Sequence, residues 1–207
     1  MRTRVKVCGI TREQDARAAI QHGADALGFV FWRPSARYIA PERAGEIVRG
    51  LPAFVTPVGV FVNPTVDEVE RAVAAVPTAL LQFHGEETPD FCERFGRPYI
   101  KAARMRKGLN LLEYFASFRG AAAWMVDTFH ESQYGGTGTA FDWELLPRDF
   151  LRPLILSGGL TVDNVAEAVR RIRPYAVDVS SGVEKQKGIK DADRIAVFIA
   201  GVRNFDV

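Results

Sequence analysis

Cysteine and histidine are scarce in this chain, at two and three of 207 residues. Cys8 and Cys92 stand far apart, and so thin a set excludes a disulfide framework. His22, His84 and His130 have no ligand spacing to one another, so no metal site is expected. A dominant charge is also missing. The 27 basic and 25 acidic residues leave a net +2, and the basic ones are scattered rather than gathered into the stripe that nucleic acid requires. No apolar run reaches the ~18 residues of a membrane-spanning helix, and the opening MRTRVKV lacks the apolar core of a secretory signal. The expectation is a cytoplasmic protein that binds neither nucleic acid nor membrane. A Walker loop is absent too, and CGITRE after the first strand-like run is not the glycine fingerprint of a dinucleotide fold.

What the chain does have is alternation. β-rich runs at 4–8, 26–31, 56–62, 79–84, 99–103, 122–127, 152–157 and 176–181 are separated by amphipathic stretches such as EQDARAAIQHG, TVDEVERAVAAV and TVDNVAEAVRRI. The short FDWELL, residues 141–146, supplies the helical candidate between the sixth and seventh runs. Several helical stretches open on Thr, Pro or Asp, residues that satisfy or avoid the free N–H groups of a first turn. Eight β/α units without a linker-like tract predict one domain over residues 1–207, an α/β fold closed as a (β/α)8 TIM barrel. An open doubly wound sheet is the rival. Two loops are longer than this economy needs, WRPSARYI at 32–39 and TFHESQYGGTGT at 128–139. Both follow strands, which in a barrel puts them on the C-terminal, catalytic face, where long loops are candidate lids.

Residue parity along the strands then selects chemistry. In RVKVC, Arg4, Lys6 and Cys8 share one face, and Val5 and Val7 the other. The valines suit the helix layer, so the polar set points into the barrel, where a lysine needs a partner. Asp178 in AVDVSS sits on the strand that closes onto the first, and a Lys6–Asp178 pair beneath the thiol is the expectation. The ammonium would favour thiolate and make Cys8 a base or nucleophile; otherwise Cys8 is a small packed hydrophobe. Asp127 ends the apolar strand WMVDT, as a proton donor at the rim or as a cap for the next turn. Gly158 and Gly159 lead from strand seven into a helix, and Ser181 and Gly182 follow strand eight. Their backbone N–H groups make a candidate phosphate cradle. Arg37 in the first long loop either clamps a carboxylate or is solvated. His84, ending strand four, either meets a ligand or orders the rim.

Those residues carry a resemblance to the phosphoribosylanthranilate isomerase family along almost the whole chain. It runs through VKVCGIT (5–11), GFVFWRPSARYI (28–39), VGVFVN (58–63), LQFHG (81–85), VDT with GGTGTAFDW (126–143), SGGLTVDNV (157–165) and VDVSSGVE (177–184). The resemblance implies a (β/α)8 barrel and an Amadori rearrangement of a small phosphosugar amine, N-(5-phosphoribosyl)anthranilate, in tryptophan biosynthesis, with no cofactor or metal. It implies Cys8 as general base, Asp127 as general acid, Arg37 on the anthranilate carboxylate, phosphate at the turns after strands seven and eight, and Asp178 close to substrate. Two departures stand out: Ala36 where the family often has proline, and Phe83 where leucine is usual. Monomer and homodimer both remain open.

Overall fold

A computed structural model of the protein describes residues 2–105, 108–128, 146–147 and 150–204. Its eight strands are β1 (Arg4–Cys8), β2 (Ala26–Val30), β3 (Thr56–Phe61), β4 (Leu80–Phe83), β5 (Tyr99–Met105), β6 (Ala123–Thr128), β7 (Leu154–Leu156) and β8 (Ala176–Val179). They form a closed barrel in chain order, every neighbouring pair parallel. Closure sets Lys6 opposite Asp178 in the β1–β8 register. The open-sheet alternative is thereby excluded.

Around the barrel run α1 (Glu13–His22), α2 (Pro41–Arg49), α3 (Val66–Ala75), α4 (Pro89–Glu93), α5 (Leu111–Ala116), α6 (Val165–Ile172) and α7 (Ala192–Arg203). Their starts follow the expected chemistry. Thr65 and Glu68 make a reciprocal capping box on α3, Thr88 and Pro89 open α4, Pro41 opens α2, and the Asp191 carboxylate accepts from two N–H groups of α7. The helix expected at 141–146 lies outside the described residues except for Leu146, and so does the candidate lid after Thr128.

Strand periodicity sorts two cores. Outward residues such as Val5, Val7, Phe83, Trp124 and Val177 pack under the helices, each contributing about 1.5–3 kcal/mol on burial. Inward residues, including Val58, Ile100, Ala102, Met125 and Ile155, fill the barrel. Phe83 points outward, its ring 5.9 to 6.1 Å from those of Phe61, Phe91, Phe95 and Tyr99. An aromatic cluster absorbs that departure from leucine, away from the barrel mouth. After β8 the chain does what its pattern did not announce. A 3-10 turn at Ser181–Val183 leads into a two-stranded hairpin, β9 (Glu184–Gln186) and β10 (Ile189–Lys190).

Candidate active site

At the C-terminal end of β1 the thiol of Cys8 is 8% exposed. One turn of the pleat below, the Lys6 ammonium lies 2.8 Å from Asp178 Oδ1, with both side chains buried. Ser157 Oγ donates to the other Asp178 oxygen at 3.4 Å. Gly28 makes room for the group. It pairs with Cys8 in register, and a Cβ there would lie 2.6 Å from the sulfur and 3.1 Å from Lys6 Nζ. Burial pushes the thiol up from its ordinary range and outweighs the opposing pull of Lys6 and Lys190, while the Asp178 charge adds to the rise. The expected thiolate-favouring balance is therefore corrected: the ammonium is present, but desolvation wins. Burial works against the charge of Lys6 as well. There the negative neighbours more than offset it, so the Lys6 pKa is raised.

On the other side of the mouth, Asp127 is 3% exposed and meets His84 Nε2 at 2.9 Å through Oδ2. His84 and Asp127 come from β4 and β6, with β5 between them. In the β5–β6 register Arg104 stands opposite Asp127 and the small Ala102 opposite Met125, one inward position lower. Behind the imidazole, Gln82 Nε2 lies 3.1 Å from His84 Nδ1. With the amide donating to Nδ1, the histidine proton sits on Nε2 and is donated to Asp127. His84 thus orders the carboxyl, which answers half of the question its sequence position left open.

Arg37 is held more firmly than a loop arginine need be. Its Nε and Nη2 donate to the two oxygens of Glu184, each at 2.8 Å. Lys190 Nζ donates to Glu184 Oε1 at 2.9 Å. Burial pushes the Glu184 carboxyl up, but the Arg37 hydrogen bonds and the Lys190 charge outweigh it and hold it below the usual range. The backbone N–H of Arg37 donates to Ser35 Oγ at 3.1 Å, which tightens the turn despite Ala36.

Gly158 and Gly159 after β7 both take positive φ, +86° and +66°, conformations that L side chains rarely adopt. Gly182 packs on that turn: a Cβ there would lie 2.0 Å from the Leu160 carbonyl oxygen. The turns after β7 and β8 are therefore in contact, as a shared anion cradle requires.

One pocket at the mouth is lined by Cys8, Arg37, Gln82, His84, Asp127 and Asp178, among others. Lys6 lies beneath it, paired with Asp178. Gly158, Gly159, Ser181 and Gly182 are not part of its lining and sit on the adjoining turns. A larger cavity lies at the N-terminal ends of β7 and β8, between Arg152, Arg170, Arg173 and Tyr175, and holds none of the predicted residues. Among the described residues no cluster of three or more His, Cys, Asp or Glu could hold a metal ion, and no helix is long and apolar enough to cross a membrane. Sequence reasoning missed Gln82, Gly28, Glu184 and Lys190. Parity along LLQFH could have found Gln82, two residues before His84 on the same face. No local pattern marks the other three.

A closed parallel barrel that brings a thiol, a carboxyl and an arginine to its C-terminal mouth defines a (β/α)8 barrel equipped for acid–base chemistry on an anionic ligand. Residues 5–201 match the family model described as N-(5'phosphoribosyl)anthranilate (PRA) isomerase. The chain is 57% identical over 204 residues to the N-(5'-phosphoribosyl)anthranilate isomerase of Nitrosomonas eutropha, covering 99% of this chain and 98% of that one. It is 54% identical to the Dechloromonas aromatica protein of the same name, covering 100% and 99% of the two chains. Among solved structures, phosphoribosyl anthranilate isomerase from Thermotoga maritima superposes with a TM-score of 0.90 at 41% identity, over 98% of this chain and all of that one. A phosphoribosyl anthranilate isomerase in complex with reduced 1-(o-carboxyphenylamino)-1-deoxyribulose 5-phosphate superposes at 0.87 with 40% identity, over 98% of this chain and 100% of that one. The chain belongs to the N-(5'-phosphoribosyl)anthranilate isomerase family.

Proposed function

We propose that this protein isomerises N-(5-phosphoribosyl)anthranilate to 1-(2-carboxyphenylamino)-1-deoxyribulose 5-phosphate in tryptophan biosynthesis, with Asp127 as general acid and Cys8 as general base. The observation that carries the reading is the pocket that Cys8 and Asp127 line together with Arg37. Asp127 gives a proton to the furanose ring oxygen, and the C1–O bond opens to a protonated Schiff base. Cys8 then takes the C2 proton, the electron pair flows to the imine nitrogen, and the enolamine tautomerises to the ketone. No atom is gained or lost, so the reaction needs no net oxidant or reductant, and each proton moved has a named donor or acceptor in this chain. A thiol that burial has raised is a strong base once ionised, and Lys6 beside it keeps the charged form within reach. His84 orients the acid.

Arg37 takes the anthranilate carboxylate, and the turns carrying Gly158, Gly159, Ser181 and Gly182 take the phosphate. Asp178 lines the pocket as well as pairing with Lys6, so the pairing role and contact with substrate are compatible. We read residues 1–207 as one barrel domain. A phosphorylated substrate does not cross a membrane unaided, so the reaction runs where that substrate is made, which we take to be the cytoplasm.

The test is a fluorescence assay. Phosphoribosylanthranilate is generated in situ from anthranilate and phosphoribosyl pyrophosphate by the transferase, and loss of its emission is followed on adding the protein or its Cys8→Ala variant. Rapid decay with the first and little with the second is the expected outcome. Decay no faster than the spontaneous rate, from a folded preparation, would overturn the reading and point to another phosphosugar amine.

A further inference from the structure

Arg37 meets its substrate already paired, and the pairing has a geometry. A guanidinium offers two forks. The side fork is Nε with the near hydrogen of Nη2; the end fork is Nη1 with the far hydrogen of Nη2. Glu184 takes the side fork with both oxygens at 2.8 Å. That leaves the end fork as the one that can receive a second carboxylate bidentately. A carboxylate so close to the clamp would repel an anionic ligand, and Lys190 removes the objection. Its amine, 2.9 Å from Glu184 and fully buried, is pulled below the ordinary lysine range because burial outweighs the Glu184 charge, and in its protonated form it leaves the three side chains one net positive charge. Lys190, Glu184, Arg37 and an incoming carboxylate then alternate in sign.

The hairpin that supplies Glu184 and Lys190 is itself tied down at the mouth. Thr11 Oγ1 donates to the Gly188 carbonyl at 2.6 Å, and the Lys190 N–H donates to Asp15 at 3.2 Å. The Gly188 N–H returns to Glu184 Oε1 at 3.3 Å. Lys190 Nζ also donates to the Ser180 carbonyl at 3.1 Å, beside β8. An arginine on a flexible loop would spend binding energy on ordering itself; one held in a fork by a fixed hairpin does not. Arg37 is 12% exposed in its side chain and Glu184 4%, so the pair is desolvated before any ligand arrives.

We propose that Glu184, presented by the β9–β10 hairpin and balanced by Lys190, is a specificity-determining positioning residue that aims the end fork of Arg37 at the substrate's aromatic carboxylate. This rests on the reading of function above. Glu184 is not part of the lining of the pocket that Cys8 and Asp127 share. It acts through Arg37 and sets which arylamine the barrel accepts.

The experiment compares two substrates, phosphoribosylanthranilate and phosphoribosylaniline (made from aniline and ribose 5-phosphate), which differ only in the carboxylate. They are run with the unsubstituted protein, Glu184→Gln, Arg37→Met and the double variant. Glu184→Gln keeps the shape and breaks the fork. KM for the carboxylated substrate is expected to rise on the order of tenfold to a hundredfold, with kcat changed far less, and the preference over the aniline substrate to shrink by the same factor. In the Arg37→Met background the second substitution adds less than about twofold, because its route is gone. Glu184→Asp keeps the charge and shortens the reach, which covers the case in which Glu184→Gln does not fold, and it is expected to give an intermediate loss. Equal KM rises for both substrates, or full additivity with Arg37→Met, would overturn the proposal in favour of a merely structural hairpin. An unsubstituted protein that turns over both substrates with the same KM overturns the clamp while leaving the isomerase. One that turns over neither removes both.

Discussion

Removing the Lys6 ammonium separates its part in folding from its part in the chemistry. In Lys6→Met, Asp178 stays 6% exposed and loses an ion-pair partner at 2.8 Å. Among the described residues the other hydrogen bond to it is the long one from Ser157 at 3.4 Å. Leaving one member of a buried pair uncompensated costs about 3–5 kcal/mol. For a chain of this size each kcal/mol moves Tm by about 2–4 °C, so the expected fall is about 6–20 °C. The scan belongs near pH 7. The folded-state pKa of Lys6 is raised, so its contribution is complete below the ordinary lysine pKa and is lost only as pH climbs through the raised value. The same change removes the chief force pulling the Cys8 thiol down, so the acid limb of the kcat/KM profile moves to higher pH. The double variant Lys6→Met/Asp178→Leu is the discriminating one. Most of the stability returns, because both charges are gone. The pH limb returns only part of the way, because Asp178 had been pushing the thiol up while Lys6 pulled harder. Calorimetry and a pH series of the fluorescence assay read the two effects separately. A Lys6→Met protein with unchanged Tm and an unchanged acid limb would refute the reasoning.

Four further outcomes are expected. Cys8→Ser and Asp127→Asn each lower kcat by at least about a hundredfold, the scale of losing a general base or acid; kcat within a few-fold of the unsubstituted protein would sink the corresponding role. His84→Leu removes a hydrogen bond to Asp127 that becomes charge-assisted as the acid gives up its proton, so kcat falls by about ten- to a hundredfold with little change in KM, and a KM effect alone would assign His84 to binding instead. Gly28→Ala drives a methyl within 2.6 Å of the Cys8 sulfur; overpacking costs about 1–3 kcal/mol by urea unfolding and turnover falls with it, whereas normal stability and rate would show that the pair can move aside. Cys92 is fully buried and its thiol is pushed up from an ordinary 9.0 to about 12. Stability tied to its proton is therefore present below about pH 9 and is lost as pH rises toward 12, so the urea midpoint of Cys92→Ala declines less between pH 9 and 11 than that of the parent.

The alternation of β-rich and amphipathic runs by itself determined a parallel α/β fold, because a parallel strand must be followed by a crossover, and eight such units favoured closure; the β1–β8 pairing then excluded the open sheet. Parity within single strands determined which faces carry chemistry. Two-residue periodicity sent Val5 and Val7 to the helices and Lys6 and Cys8 to the interior, and barrel closure then paired Lys6 with Asp178. The family resemblance pointed to Cys8 and Asp127, by position, as the proposed acid–base pair. Three things needed the tertiary structure. The balance on Cys8 depends on how completely water is excluded around it, a three-dimensional quantity, and desolvation reversed the direction that neighbouring charge alone suggests. His84 and Asp127 are 43 residues apart, at the ends of β4 and β6, which the barrel separates by one strand, so no local pattern announces their contact. Arg37 and Glu184 are separated by 147 residues, and no spacing rule connects a loop after the second strand with a hairpin after the eighth. Local sequence fixes what each element is and which way its side chains face. Which faces meet, and how dry the place is where they meet, is settled when the chain closes on itself.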